Sequence, residues 1–442
     1  MEEGQSEDNY WSTTRTLACP VYSQINLPEK LFDIVDTPQY QRLRNIKQTG
    51  PVHYVFPGSV GTRFMHCLGT AYLAQNWIRQ IKQRQPGLKI SDQDILNVTT
   101  AGLVHDLGHA PYSHTFERWM HSSGHTEWNH EVMGGKLFDH LIEIYNLDWD
   151  KSDIKAVQGM ILGDIVDPGR PWLSQIVSNE KTGVDVDKFD YIRRDADLLG
   201  LSTTFRAQRL IDCSRVIDGE ICFLEKEALN VYELLHNRFL LHKRAYQHKV
   251  AQAVEHMIYD VLTAAQPSLN LVEWARDLER YHLFTDSIFD IIKTTQGEEA
   301  AAARNLLKRI DQRDFYPLVA RFITDSENVG QLQSLTSEQI CGYQVTDGSL
   351  VQLTPDDIIV HRSAINYGKG STNAAALVRY YDKHNANESY NIPKYAISEV
   401  LPVHFQDFVV RIFLRGDKSK FQAAVKAVSR LSKRQHLQIK RR

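Results

Sequence analysis

The chain has 442 residues, 42% of them hydrophobic, which suffices for a large buried core in one to three domains. A formal net charge of only −3 excludes a global field that would draw the protein to nucleic acid or membrane, so an anionic ligand must be met by local basic residues. Five scattered cysteines (Cys19, Cys67, Cys213, Cys222, Cys341), never in C-x-x-C spacing, exclude a disulfide scaffold and a structural zinc knuckle and point to a reducing compartment. No apolar run approaches the ~20 residues that span a bilayer and no leader-like start is present, so the expectation is an intracellular protein, of nucleus or cytoplasm, with no membrane partner.

Residues 1–14 are acidic and polar and read as a flexible lead. From about Pro28 to Gln266 amphipathic helical stretches alternate with short Gly/Pro/Ser punctuation, as at Phe56-Pro57-Gly58-Ser59. Ser91 with Asp94 three residues on predicts a capped helix start, and that helix delivers His105 and Asp106 at its C-terminal end. Asn230–Ala265 reads as one long helix. Beyond about Cys341 the texture turns to β-branched runs, Asp357–Val360, Ala375–Tyr381 and Phe408–Leu414, closed by a helix near Lys420–Ser432. The division expected is 15–335 for a helical core and 336–442 for a small α/β lobe. Its last residues, Lys433, Arg434, Lys440, Arg441 and Arg442, suit a solvated tail, a nuclear signal or a nucleic-acid contact.

Three strings carry ionisable residues in apolar helical settings: Arg63-Phe64-Met65-His66, Val104-His105-Asp106-Leu107-Gly108-His109 and Asp185-Val186-Asp187-Lys188. Imidazole nitrogen and carboxylate oxygen in such places suit a borderline divalent ion, because a cation offsets the buried carboxylate charge. His109, His114 and His130 add groups that titrate near neutrality, as a hydrolase that expels an alkoxide requires. On a helix, Asp187, Tyr191 and Asp195 fall at i, i+4 and i+8, and so do Arg238, His242 and Tyr246, each set lining one stripe.

Taken in this order, the strings resemble the HD-domain phosphohydrolases, with His66, His105, Asp106 and Asp187 as the metal set for Fe, Mn, Mg or Zn. The resemblance implies a mainly α fold, an HD-domain helical core with a small C-terminal α/β lobe. It narrows to the deoxynucleoside triphosphate triphosphohydrolases of the sterile-alpha-motif and HD-domain type, here without a counterpart of the sterile-alpha-motif domain. It then implies hydrolysis of a dNTP to deoxynucleoside and tripolyphosphate, with His109, His114 and His130 serving the catalytic step and His114 protonating the leaving oxygen. Glu117 stands where the family has Asp. Arg63, Lys188, Tyr191 and Arg238 would meet the triphosphate, beside His242; Gln48, Asp195 and Gln247 would meet sugar or base, and Tyr246 would form the floor under the deoxyribose. Thr49 stands where the animal members carry Leu.

Asp36, Gln41 and Arg44 match residues that read guanine at an activator site between subunits, with Arg209, Lys226 and Lys249 as basic matches. A GTP or dNTP activator and a homo-oligomer, dimer or tetramer, are therefore implied. Departures are Cys19-Pro20-Val21-Tyr22-Ser23 in place of a D-P-I-H-G strand, Leu224 in place of an Arg, and no basic residue near Asn385–Asn391. Two alternatives stay open: an HD-domain nucleotidase or phosphodiesterase acting on another phosphate ester, and a single-stranded nucleic-acid binder or nucleotide-sensing scaffold.

Overall fold

A computed structural model describes residues 12–324, 328–344 and 352–440. Most of the expected lead lies outside the described residues, but its last residue, Thr14, opens a strand. Strands β1 (Thr14–Cys19) and β2 (Ser23–Pro28) form an antiparallel hairpin packed on the helical body.

The body is mainly helical. Helix α1 (Arg63–Arg84) runs through its centre, with α2 (Asp92–Val104) and α7 (Val186–Leu199) against it; α3 (His114–Ser122), α4 (His130–Ile144), α5 (Lys151–Leu162) and α6 (Trp172–Val177) come in chain order between the last two. The Trp77 ring of α1, fully buried, stacks on Phe189 of α7 at 5.2 Å between centroids. Two glycines set how closely the layers approach. A Cβ on Gly69 of α1 would stand 2.0 Å from Asp190 Oδ1 of α7, and one on Gly108 would stand 2.0 Å from the His130 carbonyl oxygen. The absence of both side chains lets α7 and the start of α4 reach the residues between them.

The capped start of α2 is present: Ser91 Oγ accepts the Asp94 N–H at 3.0 Å, and Asp94 Oδ2 accepts the Ser91 N–H at 2.8 Å. The long helix expected over Asn230–Ala265 is instead two, α8 (Ala228–Leu241) and α9 (Lys249–Leu269), joined by a π-helical turn over His242–Tyr246. A hairpin, β3 (Ser214–Ile217) and β4 (Glu220–Leu224), interrupts the stretch expected to be wholly helical.

The remaining strands fall into two sheets. In one, β10 (Ile439–Lys440), β5 (Leu318–Phe322), β9 (Gln406–Leu414) and β6 (Ile358–Asn366) lie side by side and antiparallel, under helix α10 (Phe421–Arg434). In the other, β7 (Arg379–Asp382) pairs parallel with β4 and antiparallel with β8 (Asn385–Tyr390). Strand β5 and the β3–β4 hairpin precede residue 336, so both sheets cross the expected border at 335/336. The run Ala375–Tyr381 is a strand only from Arg379; Ala374–Leu377 is a 3-10 turn. No described helix is long and apolar enough to cross a membrane.

Candidate active site

Three helices bring the three sequence strings to one point. His66 lies in the first turns of α1, His105 caps the C-terminus of α2 with Asp106 next to it, and Asp187 sits in the first turn of α7, whose start Asp185 caps by accepting the Lys188 N–H at 3.1 Å. His66 Nε2 and His105 Nε2 stand 3.1 Å apart, and Asp187 Oδ1 lies 3.1 Å from the first and 3.7 Å from the second. Asp106 Oδ2 faces the same point at 3.4 and 3.5 Å and also accepts Arg63 Nη1 at 2.5 Å.

These residues fit a divalent ion. His66 Nδ1 faces Asp190 Oδ2 at 2.8 Å and His105 Nδ1 faces the Gly102 carbonyl at 2.9 Å, both acceptors. Each imidazole therefore carries its proton on Nδ1 and turns the Nε2 lone pair inward. Two lone pairs and two carboxylate oxygens at this spacing repel unless a cation stands among them, and atoms bound to one ion at about 2.0–2.2 Å lie about 3 Å from each other. Without an ion, burial opposes charge at His66, yet hydrogen bonds to the Asp187 and Asp190 carboxylates carry its pKa up to about 10, so a proton on Nε2 takes the place that a bound cation would fill.

A second group, His109, His114 and His130, also brings its ring nitrogens together. The His109 and His130 rings stack at 3.9 Å, with His114 edge-on to both at 4.8 and 5.1 Å. Glu117 Oε2 accepts from His130 Nδ1 at 2.9 Å and from His114 Nδ1 at 3.3 Å, so one carboxylate orients both rings. His109 Nε2 stands 3.2 Å from Asp106 Oδ1, so Asp106 lies between the two clusters. Loss of hydration among the surrounding groups, with the His130 and Arg63 charges, pushes His114 down to about 4 although its side chain stays 52% exposed, and full burial holds His109 well below the usual imidazole range. The backbone before His114 is strained: Tyr112 and Ser113 have φ of +59° and +58°, which costs of the order of 1–3 kcal/mol each. Asp286 holds it by accepting the Tyr112 N–H at 2.6 Å, while Ser113 Oγ donates to the Lys47 carbonyl at 2.8 Å and accepts Arg63 Nε at 3.0 Å.

Both clusters open on a cavity of about 640 Å³. His105, Asp106 and Asp187, then His114, Glu117 and His130, line it together with Gln48, Arg63, Lys188, Tyr191, Asp195, Arg238, His242, Tyr246 and Gln247. His66 and His109 lie behind that lining, both fully buried. On the far wall, the Tyr246 hydroxyl donates to Asp195 Oδ2 at 2.6 Å, and burial holds the Asp195 carboxyl up to about 6. Lys188 Nζ donates to Asp185 Oδ2 at 2.9 Å, and Arg238 Nη1 to the Asn366 carbonyl at 2.8 Å.

The residues matched to an activator site lie apart from this cavity. Gln41 Oε1 accepts Arg44 Nε at 2.7 Å, Arg15 Nη1 donates to Asp36 Oδ2 at 2.7 Å, and the Arg44 guanidinium stacks 3.5 Å from the Phe64 ring centroid. Arg209 is paired with Glu227, and Lys226 and Lys249 are exposed.

Sequence reasoning missed three supports. Asp190 orients His66; Asp286 pins the strained loop; buried Arg42 donates to the carbonyls of His109, Leu107 and Phe284 and stacks on Tyr281. Asp190 lies three residues after Asp187, so helical spacing puts it within the same sector of α7 and could have flagged it. The other two are joined to the site across more than 60 residues of sequence, where no local pattern reaches.

Residues 63–178 match the HD domain, so the site belongs to the class of HD-domain proteins. The deoxynucleoside triphosphate triphosphohydrolase SAMHD1 homolog of Dictyostelium discoideum is 36% identical over 94% of this chain and 80% of its own length. The chicken and human SAMHD1 proteins are 35% and 34% identical over 92% and 93% of this chain and 73% and 72% of theirs. The chain belongs to the SAMHD1 family.

Proposed function

We propose that this protein hydrolyses deoxynucleoside triphosphates to deoxynucleoside and tripolyphosphate. The observation that carries the reading is the convergence of two inward imidazole lone pairs and the Asp187 carboxylate, 3.1–3.7 Å apart, on a cavity that also gathers basic, aromatic and hydrogen-bonding side chains. The activity for which the relatives are named supports the substrate class.

A divalent ion held by His66, His105 and Asp187, with Asp106 beside them, would supply Lewis acidity toward phosphate and an acidified water. Arg63, Lys188, Tyr191 and Arg238 bind the triphosphate, assisted by His242. Tyr246 lies under the sugar, and its hydrogen bond to Asp195 fixes the ring so that a 2′-hydroxyl finds no room; Gln48 and Gln247 meet sugar or base. His114 turns Nε2 toward the cavity because Glu117 engages Nδ1, and there it hands a proton to the departing 5′ oxygen. Its pKa is held down in the empty site, and the negative charge of a bound polyphosphate would raise it, which favours the ring as a proton donor. His109 and His130 complete the stack that holds His114 in place. Glu117, one methylene longer than the family's Asp, reaches both His114 and His130.

GTP or a dNTP bound at Asp36, Gln41 and Arg44, met by Arg209, Lys226 and Lys249 across a homo-oligomer interface, would act through the Arg44–Phe64 stack on the helix that carries Arg63 and His66. The native metal is one of Fe, Mn, Mg or Zn.

The test is incubation with each dNTP and Mn²⁺ or Mg²⁺, with and without GTP, the products being resolved by anion exchange. Deoxynucleoside plus tripolyphosphate, lost in Asp187→Ala, is the expected result; stimulation by GTP and its loss in Gln41→Ala would support the activator. Consumption of monophosphates or cyclic dinucleotides alone would move the activity to the other phosphate-ester class. Oligonucleotide binding that survives His105→Ala, with no turnover, would favour a scaffold.

A further inference from the structure

The tip of the β1–β2 hairpin lies behind the metal cluster and is joined to it by an unbroken run of hydrogen bonds. Pro20, Val21 and Tyr22 turn the chain between the paired residues Cys19 and Ser23, and Ser23, at φ +64°, closes the turn in the left-handed region. The turn is held against α1 by the Tyr22 ring, 5.3 Å from that of Tyr72. From there the Tyr22 hydroxyl donates to Asp190 Oδ1 at 2.9 Å, and Asp190 Oδ2 in turn accepts His66 Nδ1 at 2.8 Å. Arg194 closes the other side, giving Nη2 to Oδ1 at 2.7 Å and Nε to Oδ2 at 2.8 Å, while both its terminal nitrogens stand 3.8 Å from Cys19 Sγ. Asp190 is wholly buried and Arg194 nearly so, so no solvent replaces a lost partner.

We propose that Tyr22 is a positioning residue of the metal centre: through Asp190 it sets the direction of the His66 ring, so that the metal cluster is complete only with the hairpin docked. The inference rests on the metal role proposed for His66.

The physical reason is the saturation of one carboxylate. Each Asp190 oxygen takes two donors, which leaves the group no freedom to rotate, and the plane of the carboxylate fixes the Nδ1–H direction of His66 and with it the Nε2 lone pair on the far side of the ring. Removing the Tyr22 hydroxyl leaves Oδ1 with Arg194 alone, and the carboxylate can then swing toward the guanidinium and drag the His66 ring off line. Partners bonded directly to a metal-ligating histidine typically contribute 10–100-fold in metal affinity, so one bond further out the loss expected is roughly 3–10-fold. The other end of the same hairpin carries Arg15, which pairs with Asp36 at 2.7 Å and Glu29 at 2.6 Å, so displacement of the hairpin from that face would be felt at His66.

The test is a titration of Mn²⁺ into the metal-stripped full chain, read as heat and as free Mn²⁺ by electron paramagnetic resonance. Tyr22→Phe keeps the ring and its contact with Tyr72 and removes only the hydroxyl. It should weaken Mn²⁺ binding by roughly 3–10-fold, with the melting temperature of the metal-free protein little changed. Tyr72→Phe, which alters the same packing without touching Asp190, should bind as wild type. Asp190→Asn should weaken binding further, and adding Tyr22→Phe to it should cost nothing more, as two groups acting in series require. Wild-type affinity in Tyr22→Phe, equal weakening in Tyr72→Phe, or additive losses in the double variant would each overturn the inference while leaving the metal reading intact. A wild-type chain that takes up no ion would remove the metal reading and the inference together.

Discussion

Asp195 shows how a buried acid can serve a pocket at the expense of stability. Its hydrogen bond from the Tyr246 hydroxyl favours the carboxylate, but burial outweighs this and holds the group at about 6. In an unfolded chain its pKa is about 3.9. The folded state therefore binds this proton more tightly, so the contribution to stability is fully present below about pH 4 and is lost as pH rises through about 6. Asp195→Asn abolishes that loss. In urea unfolding the variant should gain of the order of 2–3 kcal/mol over wild type at pH 8 and only a small fraction of that at pH 4. In the proposed reading Asp195 accepts from the sugar, so with the same substitution affinity for substrate should fall as stability rises. An equal gain at both pH values would assign the effect to something other than titration.

Among the elements, the π-helical turn His242–Tyr246 does what a continuous helix cannot. A π turn holds one residue more than the α turn it replaces, which rotates the helix after it relative to the helix before it. Arg238 on α8 and Tyr246 at the end of the turn both line the cavity, and Tyr246 reaches Asp195 across it. Inserting an alanine after Lys243, an exposed residue of the turn, adds a residue that the already widened turn cannot absorb and should carry Tyr246 about 100° around the axis. Activity should fall by roughly 100-fold or more, on the scale of a misplaced binding group, while circular dichroism stays helical. Retained activity would mean that the placement of Tyr246 by this turn is incidental.

The same segment marks the limit of what the sequence disclosed. The i, i+4, i+8 spacing correctly grouped Arg238, His242 and Tyr246, because the residues of a π turn still share a sector over so short a run, but the break at Gln247–His248 has no Gly or Pro to announce it. The capped start of α2 was legible because the reciprocal bonds of Ser91 and Asp94 are local, three residues apart. The β3–β4 hairpin was missed for the opposite reason: Ile221, Cys222 and Phe223 are covered on both sides, so no alternation of polar and apolar residues betrays a strand.

At the scale of the whole molecule, the proposed metal cluster draws His66, His105, Asp106 and Asp187 from α1, α2 and α7, from positions up to 121 residues apart, and the fit of α7 on α1 depends on Gly69. These four residues were legible together only through the resemblance. Composition and spacing by themselves presented each as a histidine or aspartate with several uses, and the supports Arg42, Asp190 and Asp286 stayed hidden because their bonds are tertiary. The sheets, the cavity and the hairpin behind His66 are likewise products of packing rather than of any local string.

The proposed reaction requires water to attack the α-phosphorus with loss of the 5′ oxygen. The most direct measurement is hydrolysis of one dNTP in ¹⁸O-labelled water with Mn²⁺, with mass spectrometry of the products. One ¹⁸O in tripolyphosphate and none in the deoxynucleoside is the result predicted. Label in the deoxynucleoside, or release of pyrophosphate and a monophosphate in place of tripolyphosphate, would contradict it.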